Sequence, residues 1–151
     1  MPEICHDVCV EPFLQPLTGE QLSHATANRE DSARLDVKAC GFRGLQQKSA
    51  FYDVRVFNPY ALSCRGTQME ACYRRHEREK CRAYEQRVRE VERGSFTPLV
   101  FSISGGMGRA ATVTYNRLAS LLEKCRAYEQ RVREVERGSF TPSIQHVRRN
   151  G

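Results

Sequence analysis

Twenty consecutive residues occur twice in this chain without a single change. The segment EKCRAYEQRVREVERGSFTP covers residues 79–98 and returns at residues 123–142, an offset of 44 positions. Repeat architectures show approximate similarity, because each unit drifts while keeping the residues that stack it on its neighbours. Residues 99–122, between the copies, have no counterpart before the first copy. The identity therefore indicates a recent duplication, biological or artefactual, rather than a repeat fold.

The overall charge favours an anionic partner. The 151 residues suffice for one domain with a core, and 24 lysines and arginines against 18 aspartates and glutamates give a formal net charge of +6. Nucleic acid is the commonest partner when a basic surface accompanies a carboxylate site. Much of the charge lies in mixed-sign segments such as YRRHEREKCRAYEQRVREVER, which a solvated helix face explains equally well. No apolar run is long enough to cross a membrane.

The cysteines and the N-terminal residues predict an intracellular protein. Seven irregularly spaced cysteines do not describe a disulfide framework, and MPEICHDVCVEPFLQPL lacks the basic and apolar regions of a secretion signal. We therefore expect reduced thiols. Cys5, His6 and Cys9 could begin a zinc site completed by Cys64 and Cys72. Small, partly buried thiols are the simpler interpretation.

The first half of the chain has the pattern of short strands. Residues 8–17 alternate weakly and contain two prolines, which predicts a short edge strand. The segments ARLDVKACGF and AFYDVRVFNP are β-rich, and a glycine-containing stretch separates them. The second ends at the turn signal Asn58-Pro59. Together they predict a β-hairpin.

The pattern then changes to that of a long helix over residues 68–93, with Gly94 at the first position after it. Five apolar residues share one side of this helix: Tyr73, Cys81, Tyr84, Val88 and Val91. Glu77 and Lys80 lie on the same side, where a helix that packs on a sheet should be apolar. Either the first turns overhang the core, or both side chains point into a site at the rim of the sheet.

The remaining elements complete an α/β pattern. SFTPLVFSIS predicts a buried strand, and GGMGRA is a glycine-rich turn before a helix. A tight turn explains these glycines, because no nucleotide-binding motif accompanies them. The apolar stripe continues into the second copy, which predicts one helix over residues 110–137. The order strand, strand, strand, helix, strand, helix predicts an α/β fold with a small mixed sheet, flanking helices and an extra C-terminal helical extension.

Two aspartates within the predicted hairpin could carry chemistry. Asp36 lies in the RLDV segment and Asp53 in YDVRV. Either residue alone would ordinarily lie on a solvated strand face, but paired strands can bring both carboxylates to one end. Two carboxylates and a backbone carbonyl form an oxygen-rich site that suits magnesium. A nearby lysine, such as Lys80, would stabilise an oxyanion or position a water during phosphodiester hydrolysis.

These residues resemble a known nuclease pattern. An acidic residue in LD, a hairpin to D-x-R and a helix with a lysine are similar to the restriction-endonuclease-like nucleases of the PD-(D/E)xK type. More particularly, the words CHDVCVEPFLQPLTGE, ARLDV, AFYDVRVFNP, YRRHEREKCRAYEQRV and SFTPLVFSISGGMG resemble the C-terminal endonuclease-like region of non-LTR retroelement polyproteins. The similarity covers about residues 3–122. It implies a restriction-endonuclease-like fold, DNA as partner, Mg²⁺ as cofactor and, in a eukaryotic retroelement, a nuclear location.

The resemblance also implies roles for individual residues. Asp36 matches the first acid and Asp53 the second, with the carbonyl of Val54 as a third metal ligand. Arg55 stands where the family has a lysine, and arginine stays protonated and cannot serve as a base. In the retroelement branch the resemblance implies that the lysine is displaced onto the following helix, where Lys80 matches. Asp36, Asp53, Lys80 and Arg55 are thus the candidate catalytic residues.

The chain departs from the family pattern in ways that bear on catalysis more than on fold. Leu35 replaces a proline and Arg55 replaces the lysine, and we expect the first helix of the family to be truncated before MPEICHDV. The leading hypothesis is a metal-dependent DNA endonuclease fragment of a mobile element, active or inactive. The alternative is a decayed, non-catalytic transposon reading frame or a helical module that binds nucleic acid or protein.

The neighbours of the two copies predict which one takes part in the site. The first copy follows the aspartate hairpin, whereas Lys124 of the second copy has no such hairpin beside it. Leu121 lies two residues before the second copy, and Glu77 lies at the equivalent position before the first. We therefore assign residues 1–122 to an endonuclease-like domain and residues 123–151 to a duplicated helix and tail.

Overall fold

The computed structural model describes residues 6–19, 21–41 and 48–138, and these form a mixed α/β fold. One sheet contains four strands in the order β1-β2-β3-β4. The first two pairs are antiparallel and the last is parallel. The strands are β1 (His6–Val10), β2 (Val37–Cys40), β3 (Ser49–Phe57) and β4 (Ser95–Ser102). The predicted α/β class with a small mixed sheet is confirmed at this level.

The predicted hairpin is present as β2 and β3. Its pairs run from Val37 opposite Tyr52 to Cys40 opposite Ser49. Beyond Tyr52, β3 continues to Phe57 with only β4 beside it. The edge strand predicted over residues 8–17 is shorter and earlier than expected, because the strand ends at Val10 before the first proline.

The parallel pair β3 and β4 is joined by a helical crossover, as parallel strands require. After a short 3₁₀ turn (Leu62–Cys64) the crossover contains α1 (Met69–Lys80), a π turn (Cys81–Glu85) and α2 (Gln86–Glu90). The predicted helix over residues 68–93 is thus present, but a π turn interrupts its α-helical hydrogen bonding.

The crossover packs on one face of the sheet and α3 (Arg109–Gly138) contributes to the other. Successive side chains of a strand point to opposite faces, so the two clusters draw on alternate residues of β3. On the crossover face lie Leu14, Ala33, Leu35, Phe51, Tyr84, Val88 and Phe96. On the second face, Leu121 of α3 packs against a cluster of Ala50 and Tyr52, as do Val37 and Leu99.

The predicted helix over residues 110–137 is confirmed as α3, which spans Arg109–Gly138 without a break. The assigned boundary after residue 122 therefore lies inside a helix, and no break in the backbone marks it. Leu121 is half-buried on the sheet, whereas most residues from 122 to 137 are exposed. No helix in the described ranges is both long and apolar enough to cross a membrane.

The two identical copies adopt different local structures. Residues CRAYE form the π turn at 81–85, but the same letters at 125–129 are ordinary α-helix within α3. Arg87 of the first copy is fully buried, whereas its duplicate Arg131 is exposed. Because the sequences are the same, tertiary contacts must cause both differences.

Gly94 does not directly follow the helix as predicted, because α2 ends at Glu90. The residue with the left-handed conformation is Arg93, at φ 54°, and not Gly94. A Cβ on Gly94 would lie 2.8 Å from both the Phe51 ring and the Ser49 carbonyl oxygen. Gly94 therefore allows the chain to pass close to β3 as it enters β4.

We expect Gly94→Ala to lower the free energy of unfolding by about 2 kcal/mol, because the added methyl group has no room against β3. Urea denaturation of the whole chain measures this. Gly138→Ala, the same change in the same local sequence at the end of α3, is the control, and a helix accepts alanine better than glycine. Equal losses from the two substitutions would contradict the explanation.

Candidate functional site

The hairpin brings Asp36 and Asp53 to the same end of the sheet. Asp36 directly precedes β2, and its N–H donates to the carbonyl of Tyr52 at 3.1 Å. Asp53 is the next residue along β3, at the point where β2 no longer covers that strand. The end of one strand and the continuation of its neighbour therefore determine where the two carboxylates lie.

The carboxylate of Asp36 caps the uncovered edge of β3. Its Oδ2 accepts a hydrogen bond of 2.5 Å from the N–H of Val54. The carbonyl of Phe57 accepts a hydrogen bond from the N–H of Ile103, which directly follows β4. The backbone N–H and carbonyl groups of odd-numbered residues in this part of β3 therefore face β4. Because these groups alternate along a strand, the carbonyl of Val54 faces the opposite edge, beside Asp36. Val54 thus presents its carbonyl where the sequence predicted a backbone ligand.

Lys80 reaches this point from the last residue of α1. Its Nζ lies 2.5 Å from Oδ2 of Asp53, and the two side chains are only 22% and 8% exposed. The Lys80 ammonium is therefore the counter-charge of this buried carboxylate. Nζ also lies 5.7 Å from the centre of the Tyr84 ring. Lys80 is therefore held between a carboxylate and an aromatic face.

The electrostatics connect the three side chains. Burial raises the pKa of Asp53 above its usual value, and contact with the Lys80 ammonium partly offsets that rise. The negative charge of Asp36 raises the pKa of Asp53 further, which shows that the two carboxylates are close enough to interact. The structure therefore brings Asp36, Asp53 and Lys80 together.

Arg55 lies beside this group. It projects from the same face of β3 as Asp53, and its positive charge has the smallest influence on the Asp53 pKa. Its guanidinium instead lies 3.6 Å from Glu79, which also contacts His76 at 3.4 Å. Arg55 is thus at the border of the site and remains 39% exposed.

Glu77 does not join the site, which contradicts one of the two readings that the sequence allowed. Its Oε1 accepts a hydrogen bond of 3.0 Å from the N–H of Ala110, in the first turn of α3. A carboxylate there satisfies an unpaired helix N–H and interacts favourably with the helix dipole. Glu77 therefore ties α1 to α3, and only Lys80 of the two polar residues points into the site.

The zinc alternative has no support in the described part of the chain. Cys64 and Cys72 are buried in a cluster with Phe57, whereas Cys9 is exposed on β1, and Cys5 lies outside the described residues. No group of three or more His, Cys, Asp or Glu side chains within the described ranges could hold a metal ion. A metal at Asp36 and Asp53 would therefore need ligands from the backbone, water or a substrate.

The sequence analysis did not identify Arg87, which anchors the loop that leads to Asp36. Its guanidinium is fully buried and donates to the carbonyls of Gln15, Asn28 and Glu30 at 2.9, 3.2 and 2.7 Å. The loop that it anchors leads directly to Asp36. The only available signal was an arginine adjacent to the apolar stripe, and its duplicate Arg131 gives the same signal on an exposed surface.

Comparison with known proteins finds no family model, no curated protein and no solved structure that matches this chain.

We expect Lys80→Met to lower the free energy of unfolding by about 2–3 kcal/mol at pH 7, because the buried Asp53 carboxylate loses its counter-charge. Without Lys80 the pKa of Asp53 rises further, so the folded state binds this proton more tightly than the unfolded state. Stability is then lost as the pH rises through the folded-state pKa. The deficit should therefore shrink as the pH falls from 7 towards 3.8, the ordinary value.

Chemical denaturation at several pH values measures this deficit. Lys124→Met, the identical change in the exposed second copy, is the control and should leave the stability nearly unchanged at every pH. A deficit that stays constant between pH 4 and pH 7 would show that lost packing, and not the ion pair with Asp53, causes it.

Proposed function

We propose that this chain is a magnesium-dependent DNA endonuclease domain that hydrolyses phosphodiester bonds at the Asp36, Asp53 and Lys80 group. The observation that carries the proposal is the convergence of these three side chains at the uncovered edge of β3. Asp36 lies just before β2, Asp53 on β3 and Lys80 at the end of α1, so three separate parts of the chain supply them.

The residues present fit a hard divalent cation. Carboxylate and carbonyl oxygens are the ligands that Mg²⁺ takes, and Asp36, Asp53 and Val54 offer both kinds on one side of β3. Oδ2 of Asp53 pairs with the Lys80 ammonium in this structure, so a bound metal ion would share that oxygen with Lys80. When bound, Mg²⁺ would stabilise the negative charge that develops on the phosphate during hydrolysis.

Lys80 is placed to supply positive charge and hydrogen-bond donors at the site. Its ammonium pairs with Asp53, so it carries donors and positive charge at the site. In that form it can orient a phosphate oxygen or an attacking water, which contributes only where the contact strengthens in the transition state. Arg55 is permanently protonated and half-exposed, which fits a contact to a neighbouring phosphate.

The class of substrate rests on charge and on sequence resemblance. The net charge of +6 favours a polyanion, and lysines and arginines contribute a salt-dependent affinity for phosphates. The choice of DNA follows from the similarity to the endonuclease-like region of non-LTR retroelements. The competing interpretation is a binding-only protein in which Lys80 and Asp53 form a structural ion pair.

We expect the whole chain to nick supercoiled plasmid in Mg²⁺, and Asp53→Asn or Asp36→Asn to lower the rate by about 10²-fold or more. Lys80→Ala should also lower the rate strongly. Lys124→Ala is the matched control, since it removes the same side chain from the same local sequence away from the site. Equal losses from Lys80→Ala and Lys124→Ala would indicate a shared phosphate contact instead of a site.

Metal binding separates the two interpretations where nicking fails. Titration with Mn²⁺, followed by electron paramagnetic resonance, should detect a site in the wild type that Asp53→Asn removes. If the wild type binds DNA but neither binds Mn²⁺ nor nicks plasmid, the endonuclease proposal is wrong and the binding-only interpretation replaces it.

A further inference from the structure

The outer segment of α3, residues 123–137, carries an apolar stripe that the described core does not bury. Tyr128, Val132 and Val135 are 54%, 36% and 72% exposed. Their duplicates in the first copy, Tyr84, Val88 and Val91, are half-buried or fully buried, and Tyr84 and Val88 pack in the core on the crossover face. The same stripe therefore has a covering surface in one copy and faces outward in the other.

The stripe has the spacing of a coiled coil. Apolar residues along α3 alternate at intervals of three and four, which is the heptad pattern of a two-stranded seam. One set of positions, seven residues apart, contains Leu118, Cys125 and Val132. The other set contains Leu121, Tyr128 and Val135. Since Leu121 already packs on the sheet, a seam open to a second helix begins near Cys125 and runs to Val135.

The charges that flank this stripe select both the partner and its direction. Lys124 and Arg131 precede the first set of apolar residues, and Glu129 and Glu136 follow the second. In a parallel, in-register pair of identical helices, Lys124 meets Glu129 of the other copy, and Arg131 meets its Glu136. In an antiparallel pair, Lys124 would meet Arg131 and the two glutamates would meet each other. Only the parallel arrangement places opposite charges together.

We propose that the outer segment of α3 is a dimerisation surface, and that its partner is the same segment of a second copy of this chain in parallel register. The continuous helix from Arg109 projects the segment beyond the sheet, where a second helix can reach it. The proposal does not depend on the proposed nuclease site, whose residues lie just before β2, on β3 and at the end of α1.

The expected affinity is modest. The seam contains about two heptads, and isolated helices of this length are only marginally stable, so we expect a dissociation constant on the order of tens of micromolar. Sedimentation velocity of the whole chain from 1 to 200 µM, a range on the order of that affinity, follows the equilibrium. A chain that stays monomeric throughout this range would overturn the proposal.

Charge reversal tests the direction of pairing. Lys124→Glu and Glu129→Lys should each raise the dissociation constant by about tenfold, because each replaces two attractions per dimer with two repulsions. The double variant should recover the wild-type value, since the pairs are restored with opposite sign. An antiparallel pair predicts the reverse, with tighter association for each single variant, and that result would overturn the parallel dimer.

Two controls keep this test interpretable. Glu85→Lys makes the same substitution in the first copy, where the residue is exposed on the crossover, and should not change the association. Circular dichroism must show unchanged helix content in each variant, so that weaker association cannot be attributed to an unfolded helix. If Glu85→Lys weakens the dimer as much as Glu129→Lys, the surface lies elsewhere and the proposal fails.

Cross-linking of thiols gives an independent measure of register. In a parallel, in-register pair the two Cys125 side chains face each other, so a short bismaleimide should join them. The cross-linked dimer should disappear in Cys125→Ser and persist in Cys9→Ser, which removes the exposed thiol of β1. Cross-linking that depends on Cys9 instead of Cys125 would contradict the proposed register.

Discussion

The unequal length of two neighbouring strands organises this protein. Strand β2 begins at Val37, opposite Tyr52, while β3 continues for five more residues beside β4 alone. The mismatch leaves one edge of β3 without a ladder partner, and unpaired backbone groups there must find other partners. The carboxylate of Asp36 supplies one at the N–H of Val54. The same mismatch leaves the Val54 carbonyl without a partner in β2. It also places Asp53 close enough to Asp36 for the two carboxylates to interact.

A buried ion pair at this edge has a cost that the rest of the fold must offset. Transfer of Asp53 and Lys80 out of water is unfavourable, and their attraction returns only part of that free energy. A well-packed apolar pair would serve stability at least as well. An ion pair beside a second carboxylate is therefore one of the observations on which the proposed hydrolytic role rests.

Much of the scaffold was predictable because its signals are local. The hairpin, the crossover helix, the strand after it and the continuous α3 follow from apolar periodicity and from the positions of glycine and proline. Asp36, Asp53 and Lys80 could also be named in advance, because a motif of acids and a lysine has a chemical logic. Arg87, the capping role of Glu77 and the close approach at Gly94 could not, since each depends on a residue far away in the sequence.

The duplicated segment separates what the sequence determines from what tertiary structure decides. In both copies the residues EKCRAYEQRVRE (79–90 and 123–134) are helical with one apolar stripe, because helix propensity and periodicity are properties of the segment itself. The π turn at Cys81–Glu85, the burial of Arg87 and the ion pair of Lys80 occur in the first copy, where the sheet and the loop before Asp36 contact the helix on both sides of that turn. The second copy, beyond the sheet, continues as a regular α-helix with its stripe exposed. Local sequence therefore determines that these residues are helical, and only the surface against which they pack decides which side chains acquire a role.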